Sequence, residues 1–460
     1  MPEIKIDDRH IMKDKTITLK LIVMNFLQYA IWGAYLTSMG RYLANAGLGN
    51  KIGLFFSMQG IVSIFMPALV GIVADRFIQA QKVLSGCHIL SGLFMLSAWW
   101  YASNAADAVQ FGPLFTLYSL AVAFYMPTIA LSNSVAYAGL EGAGKDIVKA
   151  FPPIRVFGTV GFICSMITVD LLGFQNTPSQ FMMSGILGLL LGLYAITMLP
   201  AVPVKKIQSA SFAEASGLKA FTLFKNGQMA IFFIFSMLLG AALQITNGFA
   251  NPFLGSFGAD ASLAGTFGVK HSNILISLSQ MSETLCILLI PFAMKRFGIK
   301  KVMLIAMFAW VFRFGFFGVG NPAFPGVIWF VLSMIVYGVA FDFFNISGSL
   351  YVNRKTTDDI RSSAQGLFML MTNGLGATIG TLAAQKVVNL FTHFEEVEIG
   401  GQMIGITAGN TPSSWPAVWF IFAGYALIVG ILFAILFKDP GKDTVDMDPD
   451  FNPEAENPAA

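Results

Sequence analysis

The stretch VYGVAFDFFNISG, residues 336–348, lies inside an apolar run that begins near Ile328, and Asp342 is its only charged residue. A run of this length and composition predicts a helix that crosses a lipid bilayer. Holding a carboxylate at that depth costs about 3 kcal/mol on insertion scales. Ionisable residues inside membrane helices usually belong to binding sites or to the paths of ions. We therefore take Asp342 as the first candidate functional residue.

The composition of the whole chain indicates a membrane protein. Of its 460 residues, 55% are hydrophobic and 12% are charged, which is about half the charged fraction of a soluble domain. The 44 Phe and 45 Gly suit helices that face lipid and pack closely on one another. The net charge of +3 is spread over loops and forms no basic patch, which excludes a nucleic-acid-binding role. The three cysteines fall within apolar segments without metal-ligand spacing, so we expect them to be buried.

Twelve apolar segments are long enough to span a bilayer, and we predict an all-α membrane protein with twelve transmembrane helices. The segments lie near 19–44, 52–74, 82–103, 111–138, 154–174, 178–200, 228–256, 272–294, 299–319, 326–350, 364–390 and 415–437. The linker between the sixth and seventh, which we expect to be partly amphipathic, divides two six-helix halves. The predicted organisation is a cytoplasmic segment 1–18, an N-terminal half 19–200, the linker 201–226, a C-terminal half 227–437 and a disordered acidic tail 438–460.

The basic residues predict which side of the membrane each loop faces. If both termini are cytoplasmic, only three of the 28 Lys and Arg residues lie on the outer side, namely Arg41, Lys51 and Lys270. Cytoplasmic loops carry an excess of Lys and Arg. We therefore expect a multi-pass protein with both termini in the cytoplasm, and the acidic outer loop 391–414 agrees with this orientation.

The motifs argue against ATP hydrolysis and against an enzyme. GLEGAGKD (139–146) is similar to a phosphate-binding loop, but Asp146 replaces the Ser or Thr that binds magnesium, and an apolar helix rather than a strand precedes it. An ion gradient or diffusion is left as the energy source. The four histidines have no metal-ligand spacing, and no catalytic Ser/His/Asp or paired-Cys arrangement stands out. We therefore expect no enzyme, no metal site and no other cofactor.

Polar and aromatic residues recur at helical spacing in several predicted spans. Residues separated by three, four or seven positions share one face of a helix. The stripes are Arg155, Thr159 and Phe162; Gln244, Asn247 and Asn251; Gln280 and Glu283; Tyr337, Phe341 and Asn345 beside Asp342; and Gln28, Trp32 and Tyr35. Together they predict a cavity for a neutral, polyhydroxylated substrate with a flat ring, because amides bind hydroxyls and aromatic faces stack. Each amide alone could equally bond helix to helix, and Arg155 could form a buried structural pair with Glu283 or Asp342.

Asp342 and Glu283 are also candidates for proton coupling. Surroundings of low dielectric favour the neutral form of a carboxyl group, so such a group can bind a proton on one side and release it on the other. Asp342 is flanked by phenylalanines, whereas Glu283 has a polar neighbour in Gln280. We favour Asp342 as the proton carrier and Glu283 as the residue that faces the substrate, although the sequence leaves this division open.

The two predicted halves carry similar basic turns after their second spans, GIVADRF at 71–77 and MKRFGIKK at 294–301. Two six-helix halves marked in this way resemble the major facilitator superfamily, whose halves are related by a pseudo-two-fold axis around a central cavity. The resemblance implies that Gly71, Asp75 and Arg76 are gating residues. The alternative is that they serve only the turn and the topology.

Longer segments in both halves resemble one branch of that superfamily, the nucleoside:proton symporters of bacterial inner membranes. These segments are FMPALVGIVADRF (65–77), FPPIRVFGTVGF (151–162), FSMLLGAALQITN (235–247), SQMSETLCILLIPF (279–292), MIVYGVAFDFFNISGSLYV (334–352) and RSSAQGLFMLMTNG (361–374). The resemblance implies that a monomer in the inner membrane takes up nucleosides such as uridine and adenosine, driven by the proton gradient. It implies substrate-binding roles for Arg155, Thr159, Phe162, Gln244, Asn247, Gln280, Glu283, Tyr337 and Phe341, and proton coupling by Asp342 and Glu283.

Two alternative functions stay open at this point. A proton-coupled sugar or oligosaccharide porter of the same fold could use the same amides and acids. A nucleoside sensor that does not transport could also be built on this scaffold, although the short tails argue against it.

Overall fold

The computed structural model describes residues 8–105, 108–202, 218–357, 360–392, 395–399, 402–406 and 414–438. These residues form mainly long helices joined by short turns. The helices are α1 (Asp8–Gly33), α2 (Met39–Asn45), α3 (Ile52–Arg76), α4 (Ala80–Ser103), α5 (Phe111–Gly142), α6 (Ile147–Leu171), α7 (Ser179–Met198), α8 (Gly227–Ser256), α9 (Phe267–Lys270), α10 (Ser272–Ile287), α11 (Ile290–Val319), α12 (Val327–Lys355), α13 (Arg361–Met369), α14 (Ala377–Phe391) and α15 (Trp415–Leu436).

Shorter elements connect these helices. A π-helical segment, Leu370–Gly376, joins α13 to α14 without a break. The 3₁₀ helices are Gly49–Lys51, Phe174–Asn176, Leu218–Lys225 and Phe257–Ala259. An antiparallel hairpin of β1 (Glu395–Ile399) and β2 (Gln402–Ile406) lies within the predicted outer loop.

The helices reproduce the predicted spans closely. Ten helical segments of the described chain are long and apolar enough to cross a membrane. The two further predicted spans are occupied by α1, which has 26 residues, and by α10, which has only 16. The predicted all-α architecture is therefore confirmed, with the small hairpin as its one addition among the described elements.

Two predicted spans are interrupted in the structure. The first, predicted to run to residue 44, ends at Gly33, and a turn precedes α2. The eighth ends at Ile287 because Pro291, at the start of α11, lacks the N–H that would continue the ladder. Gly298 then adopts φ 76° and ψ 167° inside α11, which makes the predicted turn between spans eight and nine. That backbone conformation favours glycine.

We call α1–α7 the N-half and α8–α15 the C-half. Hydrogen bonds between the halves are concentrated at one end of the bundle, which we call the closed end. There Arg41 of the N-half donates from Nη1 to the Val269 carbonyl and to Ser272 Oγ, both at 2.8 Å. Gln175 donates to the Lys270 carbonyl at 2.8 Å. These contacts hold the two halves together where α10 begins.

Asp170, at the end of α6, joins the halves most directly. One carboxylate oxygen lies 2.6 Å from Nδ1 of His271, and the other accepts the backbone N–H groups of Asn273 and Ile274 at 3.0 and 3.2 Å. The carboxylate of the N-half therefore caps α10 of the C-half, where the helix dipole favours a negative charge.

Several smaller expectations can be compared with the structure. Cys87 and Cys286 are buried as predicted, but Cys164 is exposed, because it lies on the outward face of α6. The predicted gating residues lie in the last turns of α3, which extends to Arg76, so the connecting loop is shorter than expected. Gly71 has open space around it, and the Asp75 and Arg76 side chains lie outside the described part.

Two segments of the predicted organisation fall largely outside the described residues. Of the linker 201–226, residues 203–217 are not described, and Leu218–Lys225 forms a 3₁₀ helix with Phe221 exposed. The acidic tail from residue 439 onward also lies outside the described residues.

Candidate functional site

The first side of the candidate site, the N-half wall, is formed by α1 and α6. The Arg155 guanidinium lies 4.0 Å from the centre of the Tyr29 ring, and both Arg155 and Thr159 are half-buried. Phe162, which is buried, meets the edge of Trp32 at a centroid distance of 6.2 Å. The predicted stripe of α6 is therefore paired with aromatic rings of α1.

Glycines bring these two helices close enough for that pairing. A Cβ atom at Gly33 would lie 2.5 Å from the Phe162 carbonyl oxygen, and one at Gly158 would lie 2.6 Å from the Tyr29 ring. Small residues allow this approach between membrane helices. The positions of Arg155 and Phe162 against α1 thus depend on glycine at the crossing.

The second side, the C-half wall, is formed by α10 and α12. Tyr337 is 4% exposed, hydrogen bonds to the Gln280 side chain and stacks on Phe341 with parallel rings 5.9 Å apart. The Glu283 and Asp342 carboxylates both act electrostatically on Tyr337 and on the Cys286 thiol. The structure therefore brings together the two acids, which are 59 positions apart in the sequence.

A close helix crossing explains why the acids meet. A Cβ atom at Gly338 would lie 2.6 Å from the Ser282 backbone, so α10 and α12 touch at this level. Ser282 Oγ also donates to the Ile335 carbonyl across the same crossing. Glu283 follows Ser282 directly, and Asp342 lies about one turn beyond Gly338. Asp342 is 1% exposed, whereas Glu283 is half-buried.

The residues of the two walls lie at the same depth in the bundle. Asn273 Nδ2 donates to the Met166 carbonyl at 3.4 Å, which sets a common level for the antiparallel helices α6 and α10. Thr159 lies seven residues before Met166, and Gln280 lies seven residues after Asn273. Both side chains are therefore about 10 Å from that contact, measured along the helices. Arg155 and Glu283 also lie at a common level, about one helical turn further from the closed end than Thr159 and Gln280.

The amides of α8 divide between two places. Gln244 is buried, and its Oε1 accepts a weak hydrogen bond from Asn247 Nδ2 at 3.4 Å. Asn251, predicted to belong to the same stripe, instead bonds Asn273 at 3.0 Å and accepts from Ser272 Oγ at 2.8 Å. Asn251 therefore belongs to the closed end. Nearby, Phe341 and Asn345 line a small cavity with residues of α8 and of the π-helical segment.

The predicted stripe of the first span is also divided. Trp32 faces Phe162, but Gln28 is fully buried and bonds both Thr128 Oγ1 and His88 Nε2 at 2.8 Å. Tyr35 is fully buried against Tyr118. For Gln28 and Tyr35 the reading as substrate-facing residues is therefore wrong, because Gln28 is directed toward α4 and α5, and Tyr35, in the turn after α1, packs on α5.

Three residues near the site were not singled out from the sequence. Tyr29 holds the Arg155 guanidinium, Asp170 caps α10, and Arg313 of α11 lies 4.4 Å from the centre of the Tyr337 ring. Arg313 and Asp170 carried a visible signal, since each is a charge within a predicted span. Within the described residues no group of three His, Cys, Asp or Glu side chains could hold a metal ion.

Comparisons with known proteins agree with this architecture. A family model described as "Nucleoside H+ symporter" matches residues 15–442. Xanthosine permease of Escherichia coli (strain K12) is 46% identical over 433 residues, covering 93% of this chain and 98% of the relative. Nucleoside permease NupG of the same strain is 44% identical over 425 residues, covering 92% and 96%. A crystal structure of the nucleoside transporter NupG superposes with a TM-score of 0.81 at 44% identity, covering 92% of this chain and 99% of that chain.

Proposed function

The chain belongs to the nucleoside H⁺ symporter family, and from that premise we propose how its own residues carry out the transport. It is a proton-coupled nucleoside transporter with the major facilitator fold and a multi-pass membrane protein, not an enzyme. The function expected from the long sequence segments is thereby confirmed. The match over residues 15–442 is the observation that carries this conclusion.

The N-half wall supplies contacts to the substrate. In our proposal Arg155 and Thr159 donate hydrogen bonds to the ribose hydroxyls or the base, and Phe162 stacks on an apolar face of the ligand. Arg155 supports this role because it is half-buried and lies over Tyr29, so its remaining donors can reach a ligand. In the C-half, the binding site is completed by Gln244 and Asn247 of α8 and by Gln280, Tyr337 and Phe341 of the C-half wall.

The C-half wall supplies the proton chemistry. Glu283 and Asp342 both lie beside the close crossing of α10 and α12. A carboxyl group can bind a proton on one side of the membrane and release it on the other, which the amides and aromatic rings of the site cannot do. We propose that Asp342, the more deeply buried acid, holds the proton, and that Glu283 contacts the nucleoside.

The proton gradient is the energy source in this proposal, and no cofactor takes part. Both termini face the cytoplasm of a bacterium, so the closed end faces outward and substrate leaves toward the cytoplasm in this conformation. Asp170 and Arg41 support an assignment of the closed end as the outer gate, since both join the halves there. Gly71, Asp75 and Arg76 serve the opposite gate, and the working unit is a monomer in the inner membrane.

Uptake into proteoliposomes tests the substrate. Purified protein is reconstituted with an acidic outer buffer, and uptake of labelled uridine and of labelled adenosine is followed with and without a protonophore. We expect accumulation of both above the outer concentration, and collapse with the protonophore. Excess unlabelled nucleoside should compete, whereas excess ribose or lactose should not.

Two results would contradict this proposal. Competition by a sugar but not by nucleosides would favour a sugar porter of the same fold. Nucleoside binding without any flux under a proton gradient would favour a sensor. Accumulation of only one of the two nucleosides would restrict the substrate class and leave the transport mechanism as proposed.

A further inference from the structure

Arg313 is a charged side chain inside a membrane helix that the proposed function does not yet use. It is 2% exposed and ranks among the largest fully buried side chains of the described residues. An arginine in such surroundings has lost its hydration and must recover the cost from other contacts. Its surroundings therefore indicate what it does.

The hydrogen bonds of Arg313 join the two helices of the C-half wall. Nη1 donates to the Ser333 carbonyl of α12 at 2.8 Å and to Ser279 Oγ of α10 at 3.3 Å. Ser333 Oγ returns a bond to the Arg313 carbonyl at 2.9 Å. Ser279 directly precedes Gln280, and Ser333 lies one turn before Tyr337. The Arg313 side chain of α11 therefore supports both Gln280 and Tyr337 through hydrogen bonds to nearby residues of their helices.

The guanidinium also lies against the Tyr337 ring itself. Its central carbon is 4.4 Å from the ring centre, compared with 5.5 Å for Phe317 and 5.9 Å for Trp310. Tyr337 therefore packs against both Arg313 and Phe341. A tyrosine packed in this way has little rotational freedom, and its hydroxyl hydrogen bonds to Gln280.

A purely stabilising role does not account for this arrangement. Replacing a buried ion by an apolar side chain of similar length is often neutral or stabilising. The Arg313 Nε–H has no acceptor among the described residues, so the side chain bears an uncompensated cost. Methionine at this position would fill the same space without that cost. The presence of an arginine here is better explained by its contacts with Tyr337 and with the residue beside Gln280.

We propose that Arg313 is a positioning residue of the nucleoside site, which fixes Tyr337 and Gln280 in the geometry that the substrate meets. The proposal rests on the proposed binding roles of those two residues. Preorganised polar groups bind more tightly because they pay less conformational entropy on binding. Loss of Arg313 therefore weakens substrate binding without removing any direct contact.

The test uses the full-length protein purified in detergent and in proteoliposomes. Arg313→Met removes the charge at similar length, and Arg313→Lys keeps the charge but not the planar fork. Phe312→Leu, a change of a 58% exposed side chain on the same helix, is the matched control. The readouts are the Kd for uridine by calorimetry, KM and maximal rate of uptake, and the melting temperature.

For Arg313→Met we expect a Kd and a KM raised about tenfold and a maximal rate within about twofold of the original protein. Arg313→Lys should raise Kd only about threefold, since charge over the ring is retained. The melting temperature should fall by less than about 3 °C, because the cost of burying the charge is removed together with its contacts. Phe312→Leu should change neither affinity nor rate.

Two results would overturn the inference. One is an unchanged Kd for Arg313→Met. The other is a large fall in melting temperature with original affinity in the protein that remains folded, which would make Arg313 structural only. Tyr337→Phe and Gln280→Ala are measured in parallel. If these two weaken binding and Arg313→Met does not, only the positioning role fails. If neither weakens binding, the proposed site itself fails.

Discussion

The two walls of the candidate site share one arrangement, an arginine over a tyrosine, but the two arginines differ in burial. In the N-half wall Arg155 lies 4.0 Å over Tyr29, and in the C-half wall Arg313 lies 4.4 Å over Tyr337. Arg155 is half-buried, whereas Arg313 is 2% exposed and bonded to two neighbouring helices. Burial therefore separates an arginine that can reach a ligand from one that can only hold its neighbours.

The walls also differ in their acids. Glu283 and Asp342 both belong to the C-half wall, and the proposed N-half contacts, Arg155, Thr159 and Phe162, include no carboxylate. A mobile proton requires a group that can exist in both protonation states, and arginine is effectively always charged in water-accessible sites. The difference supports our proposal that proton coupling belongs to the C-half wall, while the N-half wall contributes only substrate contacts.

The largest expected effect comes from removing the acids of the C-half wall. Asp342→Asn and Glu283→Gln should each abolish uphill accumulation of uridine, because an amide cannot carry the proton. At least one variant should still exchange labelled for unlabelled nucleoside, since alternating access does not itself require the proton. Counterflow and proton-driven uptake in the same proteoliposomes measure the two activities separately.

A matched control shows whether the loss of accumulation is specific to Asp342 and Glu283 or follows from replacing any carboxylate. Asp260→Asn makes the same chemical change in an exposed turn, where Asp260 caps the Ser262 backbone. Accumulation should survive that change. Normal accumulation by both Asp342→Asn and Glu283→Gln would remove proton coupling from this wall.

The sequence predicted which residues of α6, α10 and α12 share a helix face, but not which residues of other helices support them. Residues such as Arg155, Thr159 and Phe162 share a helix face through local periodicity, which any reader of the sequence can count. Tyr29 and Arg313 act across helices, and no rule of spacing connects residue 29 to residue 155. Such pairings depend on which helices pack together and on how close the glycines allow them to approach.

Two stripes failed for a related reason. Asn251 continues the spacing of Gln244 and Asn247, yet it bonds Asn273 and Ser272 at the closed end. Gln28 shares a face with Trp32 but bonds His88 and Thr128. Helical spacing indicates which residues share a face, but a buried face can be directed toward another helix as readily as toward a cavity.

The next expected effect concerns the glycine crossings that build each wall. Gly338→Ala should lower stability by about 1–3 kcal/mol, because the new Cβ meets the Ser282 backbone, which cannot rotate away. Gly33→Ala should cost a similar amount against the Phe162 carbonyl. Only Gly338→Ala separates the two acids, so it alone should lower the accumulation ratio beyond its effect on protein abundance.

Thermal melts and uptake per folded molecule measure this difference. Gly315→Ala, at a helical position with open space around it, is the control and should be neutral or slightly stabilising. Equal loss of accumulation in Gly338→Ala and Gly33→Ala would mean that the crossing in the C-half wall has no special relation to coupling.

A smaller effect is expected for Arg155, the half-buried arginine of the N-half wall. Arg155→Ala should raise the Kd and KM for uridine about tenfold, the value of one charge-assisted hydrogen bond. The dependence of uptake on the proton gradient should stay unchanged, because no acid is disturbed. Arg155→Lys should recover part of the affinity. A variant that misfolds but keeps its affinity would instead make Arg155 a structural residue, which is the alternative that the sequence left open.

The smallest expected effect tests what holds the walls together at the closed end. Asp170→Asn keeps one acceptor for the α10 amides but removes the charge that faces the helix N-terminus and His271. A helix-capping charge is worth about 1 kcal/mol, so open forms should become roughly fivefold more populated. Spin labels at Asn176→Cys and Ala261→Cys, exposed positions of opposite halves, would report the separation in a Cys164→Ser background. Asp260→Asn is again the control. A distance distribution identical to that of the parent protein would show that the halves are joined mainly by Arg41 and the other contacts, and that Asp170 serves α10 alone.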